Sequence, residues 1–174
     1  MEHKLILFID SGDTLINEAT EIRNAEGVVI QADLIDGAKE TLRSIRAAGY
    51  RIALVADGLN QSFINMYTAH SLRDCFDAWA VSELVGECKP SPRMFQTAFD
   101  QLGLSTADKS RVIMVGNNLS RDIAGANRFG LTSVFFDWSP RYPHSSQEPD
   151  EVPDYTIHSL PGLLPLLASI RVLA

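Results

Sequence analysis

The sequence lacks the features that mark secreted, membrane and nucleic-acid-binding proteins. Its two cysteines, Cys75 and Cys88, fit neither a disulfide framework nor a metal-ligand spacing, which favours reduced structural thiols and a cytoplasmic location. The apolar stretch from Leu5 to Ile9 is too short for a signal peptide, and no run approaches the length of a membrane span. We therefore expect a soluble intracellular protein without a membrane partner.

Basic clusters are also missing. The formal net charge is -7, and a surface of this sign would repel a phosphate backbone, so we do not expect a nucleic-acid partner. The 174 residues are 45% hydrophobic, which suits a single domain over residues 1–174 with a core that needs no disulfide or metal. A small anionic ligand would need a local positive group.

Short β-rich runs alternate with helical patterns along the chain. This alternation predicts the α/β class, with a parallel sheet covered by helices on both faces in a three-layer α/β/α, Rossmann-like arrangement. The predicted strands are Lys4 to Ile9, Arg51 to Val55, Ala78 to Val81, Arg111 to Val115, Thr132 to Phe136 and Tyr155 to Ile157.

Helix signals lie between these strands. The predicted helices run from the cap candidate Asp36 to Gly49, from Ser91 to Gly103, from near Ser120 to Gly130, and from about Ser159 to Val172. Pro165 must kink the last helix or delay its start.

Two segments interrupt the alternation. Residues 16–31 contain two β-rich runs around Asn24 to Gly27, which predicts a short hairpin that could act as a flap. Residues 138–153 form a long polar loop with four prolines. Long loops in compact domains are often functional, but a plain solvated connector is an open alternative.

Polar residues follow the predicted strands at one edge of the sheet. Asp10 ends the first strand, the turn from Ala56 to Gly58 ends the second, and a loop from Gly116 to Asp122 follows a later one. Ligands of open parallel sheets bind beyond the carboxyl ends of the strands, so these groups should converge on one crevice. Lys89, just before a helix, could join them. Two acids, a lysine and free backbone amides suit a divalent cation and a phosphate.

The order and spacing of these residues resemble the haloacid dehalogenase-like hydrolases, most of which are magnesium-dependent phosphatases. Four segments carry the resemblance: Asp10 to Leu15; Ile52 to Gly58; Lys89, Pro90, Ser91 and Pro92 with Phe95; and Val115 to Asp122 followed by Gly125, Ala126 and Gly130. The spacing leaves no room for a large cap domain, so the resemblance is to the capless branch. Those proteins act on large substrates or use a neighbouring subunit as a lid, which leaves a homo-oligomer open.

The resemblance implies a phosphoric monoester hydrolase in which Asp10 accepts the phosphoryl group as an aspartyl phosphate. Mg²⁺ would be held by Asp10, the carbonyl of Gly12 and Asp122, with Asn117 as a further ligand. Lys89 would neutralise charge on the nucleophile and on the transferring group. The phosphate-binding set would be Ser11, Gly12, Ala56 and Asp57, with the backbone amides of Ser11, Gly12 and Asp57 cradling the phosphate oxygens.

The sequence departs from the family pattern at three positions. Gly12 replaces the second aspartate of the family's first motif, here Asp10 to Leu15, and that aspartate protonates the leaving group and activates water. Ala56 replaces a hydroxyl donor to the phosphate, and Asn117 replaces an acid, so metal affinity should fall. The side chain of Asp13 could take over the missing acid and base, or it could simply cap the loop.

A missing general acid and base predicts a preference for activated phosphates or other small phosphorylated substrates. Arg141 and His144, on the long loop, are the candidate substrate contacts, with ordinary surface residues as the alternative. Lys89 could likewise be a surface lysine, and Asp122 could stabilise a helix N-terminus. The competing interpretation is a catalytically impaired member that binds metal and phosphate, or a protein partner. Dehalogenation is less favoured, because that branch has an aromatic residue where Gly12 stands.

Overall fold

A six-stranded parallel sheet carries the polar residues that the sequence places at its edge. The structure, a computed structural model, describes residues 4–170. The strands are β1 (Ile6–Ile9), β2 (Ile22–Arg23), β3 (Val29–Gln31), β4 (Arg51–Ala56), β5 (Ala78–Val81), β6 (Val112–Gly116), β7 (Thr132–Phe136) and β8 (Tyr155–Ile157). The order in the main sheet is β5-β4-β1-β6-β7-β8, and every neighbouring pair is parallel.

Helices cover both faces of this sheet. They are α1 (Ala38–Ala47), α2 (Asn60–Ala69), α3 (Ser82–Val85), α4 (Pro92–Leu102), α5 (Ala124–Phe129) and α6 (Leu163–Ser169). Successive side chains of a strand point to opposite faces, and β1 follows this rule. Leu7 and Ile9 pack in one core with α1, α2 and α6, whereas Ile6 and Phe8 pack in a second core with α4 and α5. The predicted three-layer fold is confirmed.

The strand predictions are confirmed to within two residues. The largest error is at β1, which begins at Ile6 instead of Lys4. The helix predicted from Asp36 is capped by Gly37 instead, in the left-handed conformation and without a side-chain hydrogen bond. The last helix starts late, as Pro165 requires: a 3-10 turn over Leu160–Gly162 precedes α6. Its predicted end, Val172, lies outside the described residues.

The predicted hairpin is confirmed in β2 and β3, which pair antiparallel. It rests on α2, because the backbone amide of Val29 donates to the Ser62 hydroxyl at 2.9 Å and Asn65 donates to the Val29 carbonyl at 2.9 Å. Between β1 and β4, the structure holds only this hairpin, short turns and α1. No cap domain is present in residues 4–170.

The long loop is attached to the first motif at its start. The Trp138 indole N–H donates to the backbone carbonyl of Asp13 at 2.6 Å. Near its end, a 3-10 turn over Pro149–Glu151 is held by Asn127, whose amide donates to the Asp150 carbonyl at 2.8 Å. The start of this loop therefore packs against the first motif.

Over residues 4–170, no helix has both the length and the apolarity needed to cross a bilayer.

Candidate active site

Asp10 lies one residue beyond β1, at the carboxyl edge of the sheet. Its backbone amide still donates to the Val115 carbonyl at 3.0 Å, which extends the β1–β6 ladder and fixes the backbone under the carboxylate. The Ser11 carbonyl then accepts from the amides of Thr14, Leu15 and Ile16 at 2.8–3.1 Å. The chain therefore turns sharply, and Asp10 stays mostly buried at the mouth of the crevice.

Lys89 joins the two carboxylates, as the sequence predicts. Its Nζ lies 2.6 Å from Oδ1 of Asp10 and 2.7 Å from Oδ1 of Asp122, and it donates to the Val55 carbonyl at 2.8 Å. The Lys89 side chain is only 2% exposed. Burial acts to lower the pKa of Lys89, but Asp10, Asp122 and Asp57 outweigh it and raise the pKa, so the ammonium stays charged. The alternative prediction, that Lys89 is a surface lysine, is wrong.

Asp122 reaches the crevice from a π-helical turn, Leu119–Ile123, that follows β6. One of its oxygens, Oδ2, accepts from the Asn118 amide at 3.0 Å. The other, Oδ1, is buried and close to Lys89 in distance, yet it receives no hydrogen bond of acceptable geometry. Burial and the neighbouring Asp10 raise the pKa of Asp122, and Lys89 acts in the opposite direction. A further cation beside this oxygen would stabilise its charged form.

Gly116 makes room for the Asp122 carboxylate. A Cβ at residue 116 would lie 2.6 Å from the Asp122 Cβ and would collide with its carboxylate. Gly116→Ala is therefore expected to lower the free energy of unfolding by about 1–3 kcal/mol, the usual cost of overpacking, and to displace the carboxylate.

The control for this substitution is Gly162→Ala, because a Cβ at residue 162 has no neighbour closer than 3.9 Å. Urea unfolding of both variants measures the difference. Equal stabilities would contradict the close approach at Gly116.

The amides predicted to bind phosphate are available. Among the hydrogen bonds of residues 4–170, none uses the backbone N–H of Ser11, Gly12 or Asp57 as donor. Side chains contribute less at these positions. The Ser11 hydroxyl is buried 2.7 Å from the Tyr67 hydroxyl, and the Ala56 methyl is buried in the core and does not line the crevice. At these positions, an anion would therefore be bound by backbone N–H groups and not by side chains.

The residues present fit a divalent cation bound with few protein ligands. In the described part of the chain, no group of three or more His, Cys, Asp or Glu side chains converges as a metal site. Mg²⁺, however, commonly uses one or two carboxylates and keeps several waters. Asp10 and Asp122 supply two, and Asn117, whose amide oxygen could serve as a further ligand, lines the same crevice. The strongest sign of such a site is the buried Oδ1 of Asp122, which contacts Lys89 but receives no hydrogen bond.

The structure places three predicted contacts outside the crevice, which corrects the sequence interpretation. Asp13 has a positive φ of 49°, and its carboxylate points away from the pocket to accept from the Glu18 amide at 3.1 Å and from Ser139 at 3.2 Å. Arg141 forms ion pairs with Asp13 and Glu18. His144 contacts Asp137. Because its oxygens are already occupied, Asp13 does not replace the missing acid and base.

The crevice is also lined by residues that the sequence analysis did not predict. Glu18 lines it, and burial and repulsion from Asp13 raise the pKa of Glu18 while Arg141 opposes the shift. Arg121 and Tyr142 line it too, joined by a hydrogen bond of 2.9 Å. The signal for Arg121 was its position beside Asp122. The sequence signal for Glu18 was weaker: it is an acidic residue six positions after Gly12, where the family has an aspartate.

Comparison with known proteins places the chain in a family. The family model described as haloacid dehalogenase-like hydrolase matches residues 7–136. The chain is 31% identical over 133 residues to the glyceraldehyde 3-phosphate phosphatase of Pyrococcus furiosus, covering 76% of this chain and 54% of that protein. It is 30% identical over 131 residues to (S)-2-haloacid dehalogenase 4A of Burkholderia cepacia, covering 75% and 54%. The chain thus spans about half the length of these curated relatives.

Solved structures agree with the fold. The crystal structure of a protein from Listeria monocytogenes serotype 4b matches with a TM-score of 0.76 and 23% identity, covering 95% of this chain and 99% of that one. This likeness shows the shared architecture alone. With the family match, the motif order and the grouping of Asp10, Lys89 and Asp122 taken together, the chain belongs to the haloacid dehalogenase-like hydrolases.

Proposed function

We propose that this protein is a magnesium-dependent phosphatase that acts through an aspartyl phosphate on Asp10. The observation that carries the proposal is the buried contact of one ammonium with two carboxylates, Lys89 with Asp10 and Asp122, at the carboxyl edge of the sheet. This arrangement presents a fixed nucleophile beside a permanent positive charge. The phosphatase relative from Pyrococcus furiosus supports the same chemistry.

Each residue has a role that follows from its position. Asp10 attacks phosphorus, and the hydrogen bond from its backbone amide to the Val115 carbonyl holds the backbone under the attacking carboxylate. Lys89 holds the attacking carboxylate in one orientation and neutralises charge that develops on the transferring group. The backbone amides of Ser11, Gly12 and Asp57 would donate hydrogen bonds to the non-bridging oxygens of the transferring phosphoryl group, as in an oxyanion hole.

Asp10, Asp122, the Gly12 carbonyl and Asn117 would hold the metal in this proposal. When bound, Mg²⁺ would balance the negative charge of the crevice, which is lined by Asp10, Glu18, Asp57 and Asp122 against only Lys89 and Arg121. Without such balance, the two extra carboxylates would repel a phosphate dianion.

Magnesium is therefore expected to stabilise the folded protein. At about a hundred times its Kd, a ligand bound only to the folded state adds about 2.7 kcal/mol. Thermal unfolding with and without MgCl2 measures this as a rise in Tm. Asp122→Asn should abolish most of the rise, whereas Asp36→Asn, an exposed position, should keep it. An equal rise in both variants would contradict the metal site.

The proposed substrates are small phosphorylated molecules, because the crevice is small and lined by polar groups. The competing activity is removal of halide from a 2-haloacid, as named for the Burkholderia cepacia relative. The aromatic residue implied by the resemblance to that branch is absent, since Gly12 stands there. The third candidate is a binding protein without turnover, which the replacements at Gly12, Ala56 and Asn117 favour.

One panel separates these three functions. The purified chain is incubated with MgCl2 and, in separate wells, acetyl phosphate, p-nitrophenyl phosphate, several phosphorylated sugars and 2-chloropropionate. Release of phosphate that needs Mg²⁺ supports the phosphatase. Release of chloride supports the dehalogenase instead, and silence across the panel supports the binding protein.

A further inference from the structure

The carboxylate of Glu18 occupies the space that Gly12 leaves empty. A Cβ at residue 12 would lie 2.8 Å from Cδ of Glu18 and would collide with its Oε1. A side chain at position 12 and the present carboxylate of Glu18 therefore exclude each other. Glu18 belongs to a 3-10 turn, Glu18–Thr20, in the excursion between β1 and the hairpin, so its acid reaches the crevice from six residues further along the chain.

The orientation of Glu18 is fixed from two sides. Its backbone amide donates to Asp13 at 3.1 Å, and its Oε2 lies 2.6 Å from Nη1 of Arg141. The guanidinium of Arg141 also contacts Asp13, with Nε and Oδ2 2.9 Å apart. Asp13 and Arg141 thus position Glu18. The same contacts explain why these two residues are absent from the crevice itself.

The second carboxylate oxygen of Glu18 is uncommitted. Oε1, the atom above Gly12, makes no hydrogen bond within residues 4–170, and the side chain is 26% exposed, so water reaches it. Asp10 and Glu18 line the same crevice. A leaving group expelled from a phosphoryl group on Asp10 needs a proton donor on that side unless it is already a weak base.

We propose that Glu18 is the general acid and base of this enzyme, supplied through the gap at Gly12. The proposal rests on the phosphatase function proposed above. In the first step, Asp10 forms a bond to phosphorus, the phosphorus–oxygen ester bond breaks, and the alcohol oxygen takes the proton of Glu18. In the second step, Glu18 takes a proton from water as the water oxygen attacks phosphorus and the Asp10–phosphorus bond breaks. The cycle returns both carboxyl groups to their starting forms.

This assignment changes the expected substrates. The sequence alone, with Gly12 in place of the acid, predicts a preference for activated phosphates. With Glu18 as proton donor, the wild type also hydrolyses alkyl phosphates, and the preference for activated phosphates arises only when Glu18 is replaced.

Glu18→Gln tests the assignment, because glutamine keeps the shape and an oxygen for Arg141 but cannot carry the proton. Turnover of glycerol phosphate is expected to fall about 10²- to 10⁴-fold, the usual contribution of a general acid or base. With p-nitrophenyl phosphate, the variant should instead release a burst of one p-nitrophenol per enzyme and then turn over slowly, since only the second step lacks its base. Glu40→Gln, on the exposed face of α1, serves as the matched control and should behave as wild type.

A double variant that moves the carboxylate from residue 18 to residue 12 provides a further test. Gly12→Asp combined with Glu18→Ala places an acid at position 12 in the space that Glu18 vacates, and it lacks the ion pair between residues 18 and 141. Recovery of glycerol phosphate turnover by at least about tenfold over Glu18→Ala, together with the loss in Glu18→Gln, supports proton transfer from this space, because Glu18→Gln keeps the contact with Arg141 and the double variant does not.

Two results overturn the assignment while leaving the phosphatase intact: Glu18→Gln turns over glycerol phosphate like the wild type, or it slows both substrates equally without a burst. If the wild type itself releases no phosphate from any substrate, the failure lies in the proposed function.

Discussion

Asp10→Asn is expected to reduce phosphatase activity by at least about a thousandfold, because the amide cannot accept the phosphoryl group. The substitution is nearly isosteric, and Lys89 keeps its contacts with Asp122 and the Val55 carbonyl. The variant should therefore fold like the wild type. Phosphate release from acetyl phosphate with MgCl2, compared at equal concentrations of folded protein, measures the loss.

The control for this variant is Asp36→Asn, an exposed aspartate that does not line the crevice, which should retain full activity. Activity in Asp10→Asn that equals the wild type would mean that a contaminant or a different nucleophile releases the phosphate. A different nucleophile would contradict the role assigned to Asp10, and a contaminant would mean that the protein has no phosphatase activity of its own.

Lys89→Met should have the largest effect on stability. It leaves Asp10 and Asp122 buried together without the ammonium between them, with the Asp122 side chain only 1% exposed. Removing one partner of a buried ion pair costs about 3–5 kcal/mol, since the remaining charges stay desolvated and uncompensated. Urea unfolding without metal should show this loss, and activity should fall by about 10²-fold or more.

A second substitution tests the reason for this loss. Lys89→Met with Asp122→Asn carries one fewer buried negative charge, so it should recover part of the lost stability while staying inactive. Lys39→Met, on α1, makes the same chemical change away from the site and should shift the unfolding free energy by no more than about 0.5 kcal/mol. A Lys89→Met protein as stable as this control would show that the buried charges do not interact as their distances imply.

Much of the fold could be predicted from the sequence, because the signals are local. Short apolar runs such as Leu5 to Ile9, bounded by polar residues, are typical of buried parallel strands. Strand ends and parallel topology then bring Asp10, Lys89 and Asp122 to one edge without knowledge of any side-chain contact. For the elements that were predicted, the errors lie at boundaries, such as the cap at Gly37, where backbone conformation and not residue preference decided. The helices α2 and α3 had no predicted bounds.

The remainder of the site could not be predicted, because it depends on long-range packing. Whether Asp13 faces the crevice is decided by Ser139 and Arg141, which are more than 120 residues away in the sequence. The position of Glu18 depends on the same loop. No local pattern encodes a contact between two irregular segments, so the position of the Glu18 carboxylate above Gly12 is visible only in three dimensions.

The most direct test of the Asp10 nucleophile is to look for the covalent intermediate. The wild type and Asp10→Asn are mixed with acetyl phosphate and MgCl2, quenched in acid during steady turnover, and examined by peptide mass spectrometry. A single phosphoryl group on Asp10 in the wild type, absent from the variant, is the predicted result. If the wild type releases phosphate but carries the phosphoryl group on another residue, or on none, the assignment of Asp10 as the nucleophile is contradicted.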